Sequence, residues 1–390
     1  MKLADFDYNL PKELIAQKPV KPRDHSRLMV LDRKTNVIKH DHFYNLLKYL
    51  NKNDVLVFND TKVFPARLIG KRDKTGGKVE VFLLKKITTG LPKHCHSRES
   101  GNPEKRFLDP RLRGGDKMNA FAGMTSLGQP KGEYWEVLIG NKKKRVGEKI
   151  IFNKNLFCEI IKQLDGSVWL VRFNKTGEAL QKLIDKLGQV PLPPYIKTED
   201  QRLTTKKLKE EYQTVYAKYR GSVAAPTAGF HFTKELLKKI KKAGVQIEFV
   251  TLHVGLGTFQ PVKINDITKH QLHAEWASLD QQTAKRLNQT KIQGRRIIAV
   301  GTTTVRVLET LFKIKNSKLI PQSKLINTFI YPGYKFKFID GMITNFHLPK
   351  STLLMLVSAL AGRKKILQAY EIAKRKKYRF YSFGDVMLIT

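Results

Sequence analysis

Histidines, hydroxyls and glycines gather in a few short stretches of this sequence. Gly221-Ser222-Val223-Ala224-Ala225-Pro226-Thr227-Ala228-Gly229-Phe230-His231-Phe232-Thr233 packs small residues, Pro and Gly ahead of a helix cap. Such a loop leaves backbone N–H groups free to hold a carboxylate or phosphate at the helix N-terminus. His231 within it can serve as acid, base or hydrogen-bond donor; equally, the loop can be a plain turn with His231 bonded to a carbonyl. Tyr212-Gln213-Thr214-Val215-Tyr216-Ala217 precedes it. Thr251 to Phe259 sets His253 and a G-x-G at a strand end. Gln260 stands where a dinucleotide fingerprint needs its third glycine, which argues against a Rossmann nucleotide site. Gly255 and Gly257, followed by Thr258, instead let backbone approach a flat ligand. In His270-Gln271-Leu272-His273-Ala274-Glu275-Trp276, an extended chain puts His273 and Glu275 on one face, where the carboxylate can orient the imidazole or a ligand hydroxyl. An ordinary polar surface strand reads the same way. The helical H-E-x-x-H of a zincin is missing.

Gly301-Thr302-Thr303-Thr304-Val305-Arg306 joins a strand to a helix. Its hydroxyls, amides and an arginine expected in the first turn suit an anionic group such as a ligand carboxylate. It lacks the G-K-[ST] of a Walker loop, which argues against NTP hydrolysis. Thr344-Asn345-Phe346-His347-Leu348-Pro349 again places polar residues between a strand and a helix, as does Asn59-Asp60-Thr61, with Arg67 beyond it. Several such loops at the strand ends of one α/β domain predict a ligand crevice. His94, Cys95 and His96 invite a metal reading, but adjacent side chains of an extended segment point apart and no second ligand pair stands at finger spacing. No metal site is expected.

These loops need a scaffold. Arg27 to Leu31, Asp54 to Phe58, Val245 to Val254, Ile297 to Val300, Met342 to Phe346 and Val386 to Ile389 read as strands. Helices are expected from Thr233 to Ala243, Val305 to Phe312, Ser351 to Ala361 and Ile366 to Lys376. Between the first strands and the rest, Val79, Val81 and Leu83 alternate with polar neighbours, as do Trp135, Val137 and Ile139, with turns at Gly76-Gly77, Gly140-Asn141 and Asp165-Gly166. That texture predicts an antiparallel barrel or sandwich. The expected architecture is a mixed-sheet α/β domain formed by both ends of the chain (1–60 and 191–390) with a β-barrel inserted over 61–190. Thr88 to Lys131 lacks period and is rich in Gly, Pro and charge; it resembles translated palindromic repeats of bacterial genomes and is read as a disordered insertion.

Composition sets the surroundings. Lys and Arg total 73 against 34 Asp and Glu, a formal charge of +39, and such an excess attracts polyanions, nucleic acid first. A lysine-rich genome is the neutral explanation. Two cysteines without a C-x-x-C pair fit a reducing cytosol and exclude a disulfide framework. No apolar run reaches about 18 residues and the N-terminus does not read as a signal peptide, so neither membrane nor export is expected.

Taken together, these strings resemble the S-adenosylmethionine:tRNA ribosyltransferase-isomerase family of queuosine biosynthesis. The resemblance is carried by Asn59-Asp60-Thr61, Gly76 to Val81, Pro191 to Ile196, Tyr212 to Ala217, Gly221 to Thr233, Thr251 to Phe259, Ala299 to Thr303, Thr344 to Pro349, Tyr378-Arg379-Phe380 and Gly384-Asp385. It covers nearly all of the chain except Thr88 to Lys131. It implies the same architecture and a reaction on tRNA. The ribosyl group of S-adenosylmethionine is transferred and isomerised onto the aminomethyl-deazaguanine base at the wobble position of a tRNA with a GUN anticodon, giving epoxyqueuosine-tRNA, adenine and methionine. S-adenosylmethionine is then a consumed substrate, with no further cofactor, and the enzyme a cytoplasmic monomer. The chemistry needs a base for the ribose proton beside the sulfonium, assistance to departing adenine, and a neutral amine nucleophile. Expected proton-handling and orienting residues are His231, His253, His273, Glu275 and Asp60. Thr302, Thr303 and Arg306 are expected to hold the methionine carboxylate, and further substrate contacts are expected from Thr61, Arg67, Tyr212, Gln213, Tyr216, Pro226, Thr227, Gly229, Gly255, Gly257, Thr258, Asn345 and His347. The competing class is a noncatalytic basic RNA-binding protein. A phosphoribosyltransferase would need an acidic pair after a strand, and no clear one is found.

Overall fold

The computed structural model describes residues 1–87, 132–140, 144–164, 166–193, 195–196, 210–255, 262 and 264–390. The insertion with His94, Cys95 and His96, and the candidates Gly257 and Thr258, lie outside the described residues. The chain divides into two compact units, 1–66 with 189–390, and 67–188.

In chain order the first unit begins with β1 (Arg27–Leu31), β2 (Ile38–His42), β3 (Val55–Asn59) and β4 (Thr61–Val63). The second unit holds β5 (Arg67–Arg72), β6 (Lys78–Ile87), β7 (Glu133–Ile139), β8 (Lys149–Asn153), β9 (Leu156–Gln163), β10 (Val168–Phe173) and helix α1 (Gly177–Leu187). These six strands close into an antiparallel barrel in the order β10-β7-β6-β5-β8-β9. The alternating Val79, Val81, Leu83, Val137 and Ile139 are buried in it. Gly70 lets β5 cross β8 closely, since a Cβ there would stand 2.8 Å from Ile150 Cγ2 and 2.9 Å from the Ile151 carbonyl oxygen. The strands flanking 88–131 pair with each other from Val81↔Ile139 to Ile87↔Tyr134.

The first unit resumes with β11 (Tyr219–Ser222), α2 (Lys234–Lys242), β12 (Gln246–Leu252), β13 (Glu275–Leu279), α3 (Gln281–Ile292), β14 (Ile297–Val300) and α4 (Thr302–Leu311). The short pair β15 (Phe312–Lys313) and β16 (Lys318–Leu319) follows, then β17 (Gln322–Ile326), β18 (Gly341–Asn345), α5 (Thr352–Ala361), α6 (Arg363–Arg375) and β19 (Val386–Ile389). Nine strands form one mixed sheet in the order β17-β13-β12-β3-β14-β18-β19-β1-β2. The inner strands β12, β3, β14 and β18 are mutually parallel, and β19 enters antiparallel to β18 and parallel to β1.

Parallel strands buried on both faces read as continuous apolar runs, and Val55-Leu56-Val57-Phe58 is one. Its even and odd residues serve different layers. Leu56 and Phe58 join Ile298, Val300 and Ile343 under Leu236 and Ile240 of α2. Val55 and Val57 join Ile297, Ala299 and Met342 under Val305 of α4, Leu354 and Val357 of α5, and Ile366 of α6. Thr233 caps α2 by accepting from the Leu236 N–H at 3.1 Å, and Gly244 ends it at φ +84°.

Three expectations change. Thr61 to Val63 belongs to the first unit rather than the barrel, because β4 pairs in parallel with β11. The Asp60 carbonyl accepts from Lys218 and Tyr219, and Phe64 donates to Ser222, so the chain is held on this side until Ala66. Helix α4 starts at Thr302, three residues before the expected Val305, because Gly301 at φ +87° turns the chain at once. Arg306 therefore sits past the first turn. His273 lies before β13 rather than on it, so it does not share a strand face with Glu275.

Candidate active site

In a parallel α/β sheet the ligand crevice lies beyond the carboxyl ends of the strands. Here those ends are Leu252 of β12, Asn59 of β3, Val300 of β14 and Asn345 of β18. A cavity of about 450 Å³ opens there, lined by the loops Ala224–Ala228, Gly301–Thr303 and Thr344–Leu353, with Tyr195, Tyr212, Val254, Val262, Tyr381 and Ser382. Two helix N-termini reach it, those of α4 behind Gly301 and of α5 behind Ser351, whose hydroxyl accepts from the Leu354 N–H at 3.2 Å. The first-turn amides that no cap takes up favour an anionic group. Among the residues expected from the sequence, Tyr212, Pro226, Thr227, Thr302, Thr303, Asn345 and His347 line this space.

Asn345 organises the floor. Its Nδ2 donates to the Tyr381 carbonyl at 3.1 Å and to His231 Nε2 at 3.1 Å, while Oδ1 accepts from the Thr227 hydroxyl at 3.1 Å. Because an amide nitrogen only donates, His231 Nε2 must be the acceptor, so the ring proton is on Nδ1 and is donated to Ser26 Oγ at 2.7 Å. Buried, with Arg379 and Arg23 nearby, His231 has its pKa pushed down to about 3, desolvation being the larger cause. It lies behind Asn345, and both its nitrogens are engaged. His347 is the imidazole that lines the cavity. Burial pushes its pKa down to about 3, and its Nε2 is 2.8 Å from Thr344 Oγ1.

Tyr381 was not singled out from the sequence. It lines the cavity at φ +75°, a backbone region rarely taken by side-chain-bearing residues, and its buried hydroxyl has no partner among the described residues. A buried donor left unbonded costs stability unless something else takes it up. Tyr195, whose hydroxyl lies 2.5 Å from Ser382 Oγ, and Lys350 were likewise unforeseen. Gly384-Asp385 and Tyr378-Arg379-Phe380 flank Tyr381, yet a tyrosine between them carries no spacing signal of its own.

The remaining candidates sit elsewhere. His253 has Nδ1 2.7 Å from Thr61 Oγ1 and stacks on Trp276, centroids 4.9 Å apart and planes 17° off parallel. Burial pushes its pKa down to about 4. Glu275 accepts from the Gly255 N–H at 2.8 Å and forms a buried, close ion pair with Arg306, whose Nε donates to the Thr328 carbonyl at 3.1 Å. The guanidinium is thus paired through Nη1 and Nε, while its buried Nη2 has no partner among the described residues, and with His273 this pair lines a small hollow that meets Thr352 and Leu353. Asp60 accepts from Thr251 Oγ1 at 2.7 Å, its pKa raised by burial. Gln213 bonds both backbone groups of Val63, at 3.2 and 2.8 Å, clamping β4. Gly229 leaves room for the Tyr216 hydroxyl, which a Cβ would meet at 1.9 Å. Arg67 belongs to the barrel unit, paired with Glu80 at 2.8 Å.

Residues 3–389 match the family described as queuosine biosynthesis protein. The chain is 47% identical to the S-adenosylmethionine:tRNA ribosyltransferase-isomerase of Acetivibrio thermocellus over 393 residues, and 47% identical to that of Staphylococcus aureus over 391, covering 100% of both chains each time. It is also similar to the crystal structure of an S-adenosylmethionine tRNA ribosyltransferase from Thermotoga maritima, at 32% identity and a TM-score of 0.50, covering 99% of this chain and 100% of that one.

Proposed function

The chain belongs to the queuosine biosynthesis family of S-adenosylmethionine:tRNA ribosyltransferase-isomerases, and on that premise we propose that the cavity beyond β3, β14 and β18 binds S-adenosylmethionine and carries out the transfer. The observation that carries this placement is a cavity of ligand size between two helix N-termini, lined by Tyr381, whose buried hydroxyl has no partner among the described residues. The methionine carboxylate sits against the first-turn amides of α4 and α5, with the Thr302 and Thr303 hydroxyls beside it. Arg306 supports this arrangement through Glu275 instead of clamping the carboxylate itself.

The sulfonium acidifies the adjacent ribose carbon, and His347, neutral at pH 7 with one ring nitrogen protonated and the other carrying a lone pair, accepts that proton on the latter. Tyr381 donates to adenine as it leaves. His231 holds Asn345, which in turn fixes Thr227 and the Tyr381 backbone, and so acts as a positioning residue. The acceptor is the aminomethyl-deazaguanine base at the wobble position of tRNAs with a GUN anticodon, and the product is epoxyqueuosine-tRNA with adenine and methionine released. Adenine and methionine leave with the electron pairs of their C–N and C–S bonds as the aminomethyl nitrogen takes up the ribosyl group, and the scheme calls for no further cofactor; the enzyme works as a cytoplasmic monomer.

Adenine release from S-adenosylmethionine in the presence of the deazaguanine-bearing tRNA tests this. His347→Ala should lower turnover on the order of a hundredfold if it handles the proton in the slow step. Tyr381→Phe should lower turnover more than it raises the KM for S-adenosylmethionine. Near-normal kinetics in both variants would remove the chemistry from this cavity.

A further inference from the structure

Strands β13 and β17 form one edge of the nine-stranded sheet, and one face of that edge carries exposed and half-buried side chains. Trp276 and Leu325 stand directly opposite each other on it, 39% and 41% exposed. Ser278 and Ser323, two residues along on the same face, join hydroxyls at 2.7 Å. On the opposite face Ala277, Leu279 and Ile326 are buried in the core. An indole and a leucine left open side by side are therefore not a failure of the edge to pack.

The indole is also held in place. The His253 ring lies against it, nearly parallel at 4.9 Å, and is itself fixed by Thr61 and by Gly221. A Cβ on Gly221 would come within 2.5 Å of that imidazole, so the backbone of β11 rests on the ring. The residues leading to Gly221 are Lys218, Tyr219 and Arg220, with the Lys218 ammonium 4.9 Å from the Tyr219 ring centroid and Tyr219 itself 48% exposed. A flat, rigid, exposed aromatic surface beside cations fits a nucleobase, whose faces are apolar and whose backbone is anionic.

We infer that the Trp276–His253 stack is a platform on which an unpaired base of the RNA substrate stacks, with Leu325 beside it and Lys218 meeting the backbone. This rests on the tRNA reading above and adds to it a surface outside the cavity lining. Every base has a π-face, so the platform contributes affinity with little sequence preference. In a chain of formal charge +39, charge alone would hold any polyanion; the platform separates RNA from the rest.

The test measures binding of the substrate tRNA and of dextran sulfate, a polyanion without bases, to wild-type protein, Trp276→Ala and Trp276→Phe. Trp276→Ala should weaken tRNA binding on the order of tenfold and leave dextran sulfate unchanged, with Trp276→Phe close to wild type. Indole fluorescence should be quenched by tRNA in the wild type, not by dextran sulfate, and the quenching should disappear in Trp276→Phe, a variant that keeps a ring against His253. Unchanged tRNA affinity in Trp276→Ala with no quenching in the wild type would overturn the inference. So would equal losses for both ligands, or a wild-type dimer that Trp276→Ala dissociates, which would give the face to a second copy. Adenine release by the wild type, measured alongside, stands or falls with the enzymatic reading independently of these outcomes.

Discussion

A histidine that is held neutral inside a protein makes folding sensitive to acid, and two rings of the cavity region are of this kind. His231 and His347 are buried with pKa values pushed down to about 3, against about 6.5 in an unfolded chain. Between those limits the unfolded state binds more protons, so stability rises with pH across the window. The contribution is intact above pH of about 6.5 and is lost progressively as pH falls toward 3. Each ring should cost about 2 kcal/mol at a pH of about 5 relative to neutral solution. Urea unfolding at the two pH values should show the loss, and His231→Gln should remove about half of it; a flat profile would contradict the burial of these rings. The histidines were legible in the sequence, but their roles were not. Spacing shows that His231 sits in a tight loop, whereas its partners Ser26 and Asn345 lie 205 and 114 positions away. Tyr381 was invisible for a related reason: its strained backbone and its orphan hydroxyl are properties of the surrounding fold.

Secondary-structure elements deliver these groups through a few backbone positions that tolerate no side chain. Gly301 at φ +87°, ψ +152° is in a region essentially reserved for glycine, and the turn it makes starts α4 at Thr302. Gly301→Ala should destabilise the protein by about 1–3 kcal/mol. It should also raise the KM for S-adenosylmethionine more than it lowers turnover, because Thr302 and Thr303 would shift as a unit; an unchanged KM would separate this turn from the ligand. In the barrel, β6 and β7 remain paired up to Ile87↔Tyr134, so the chain between them is closed by the ladder itself. Loop-closure cost varies slowly with length. Replacing residues 88–131 by a short Gly-Asn turn should leave adenine release within about twofold of the full chain, and a large loss would give that segment a role. Strands such as β1 and β19 were readable because burial on both faces writes an unbroken apolar run. The assignment of β4 was not, since Thr61-Lys62-Val63 alternates identically whether its partner is a barrel strand or β11.

For the molecule as a whole, the excess of 73 basic over 34 acidic residues sets how it meets RNA. Counterion release makes such binding fall steeply with salt, and tRNA affinity should drop on the order of a hundredfold or more between about 50 and about 200 mM. The Trp276 contribution should persist across that range, because stacking releases no counterions; a salt-independent affinity would reduce the lysines to compositional drift. The α/β architecture with an inserted barrel was legible in outline, since both texture and order are written locally, whereas the sheet order was not, because it depends on pairings between distant segments. One of those pairings has a consequence for biosynthesis. Strand β19 lies between β18 and β1, with Val386 beside Leu28, a partner translated 358 residues earlier. At roughly 5–20 residues per second, Leu28, Met29 and Val30 wait from about 20 seconds to more than a minute for the strand that covers their edge. Until then the nascent chain carries two open sheet edges, on β1 and on β18, both templates for pairing with the wrong segment. Translation interrupted just before β19 would therefore leave a chain with almost every proposed catalytic group present and no completed sheet to hold them.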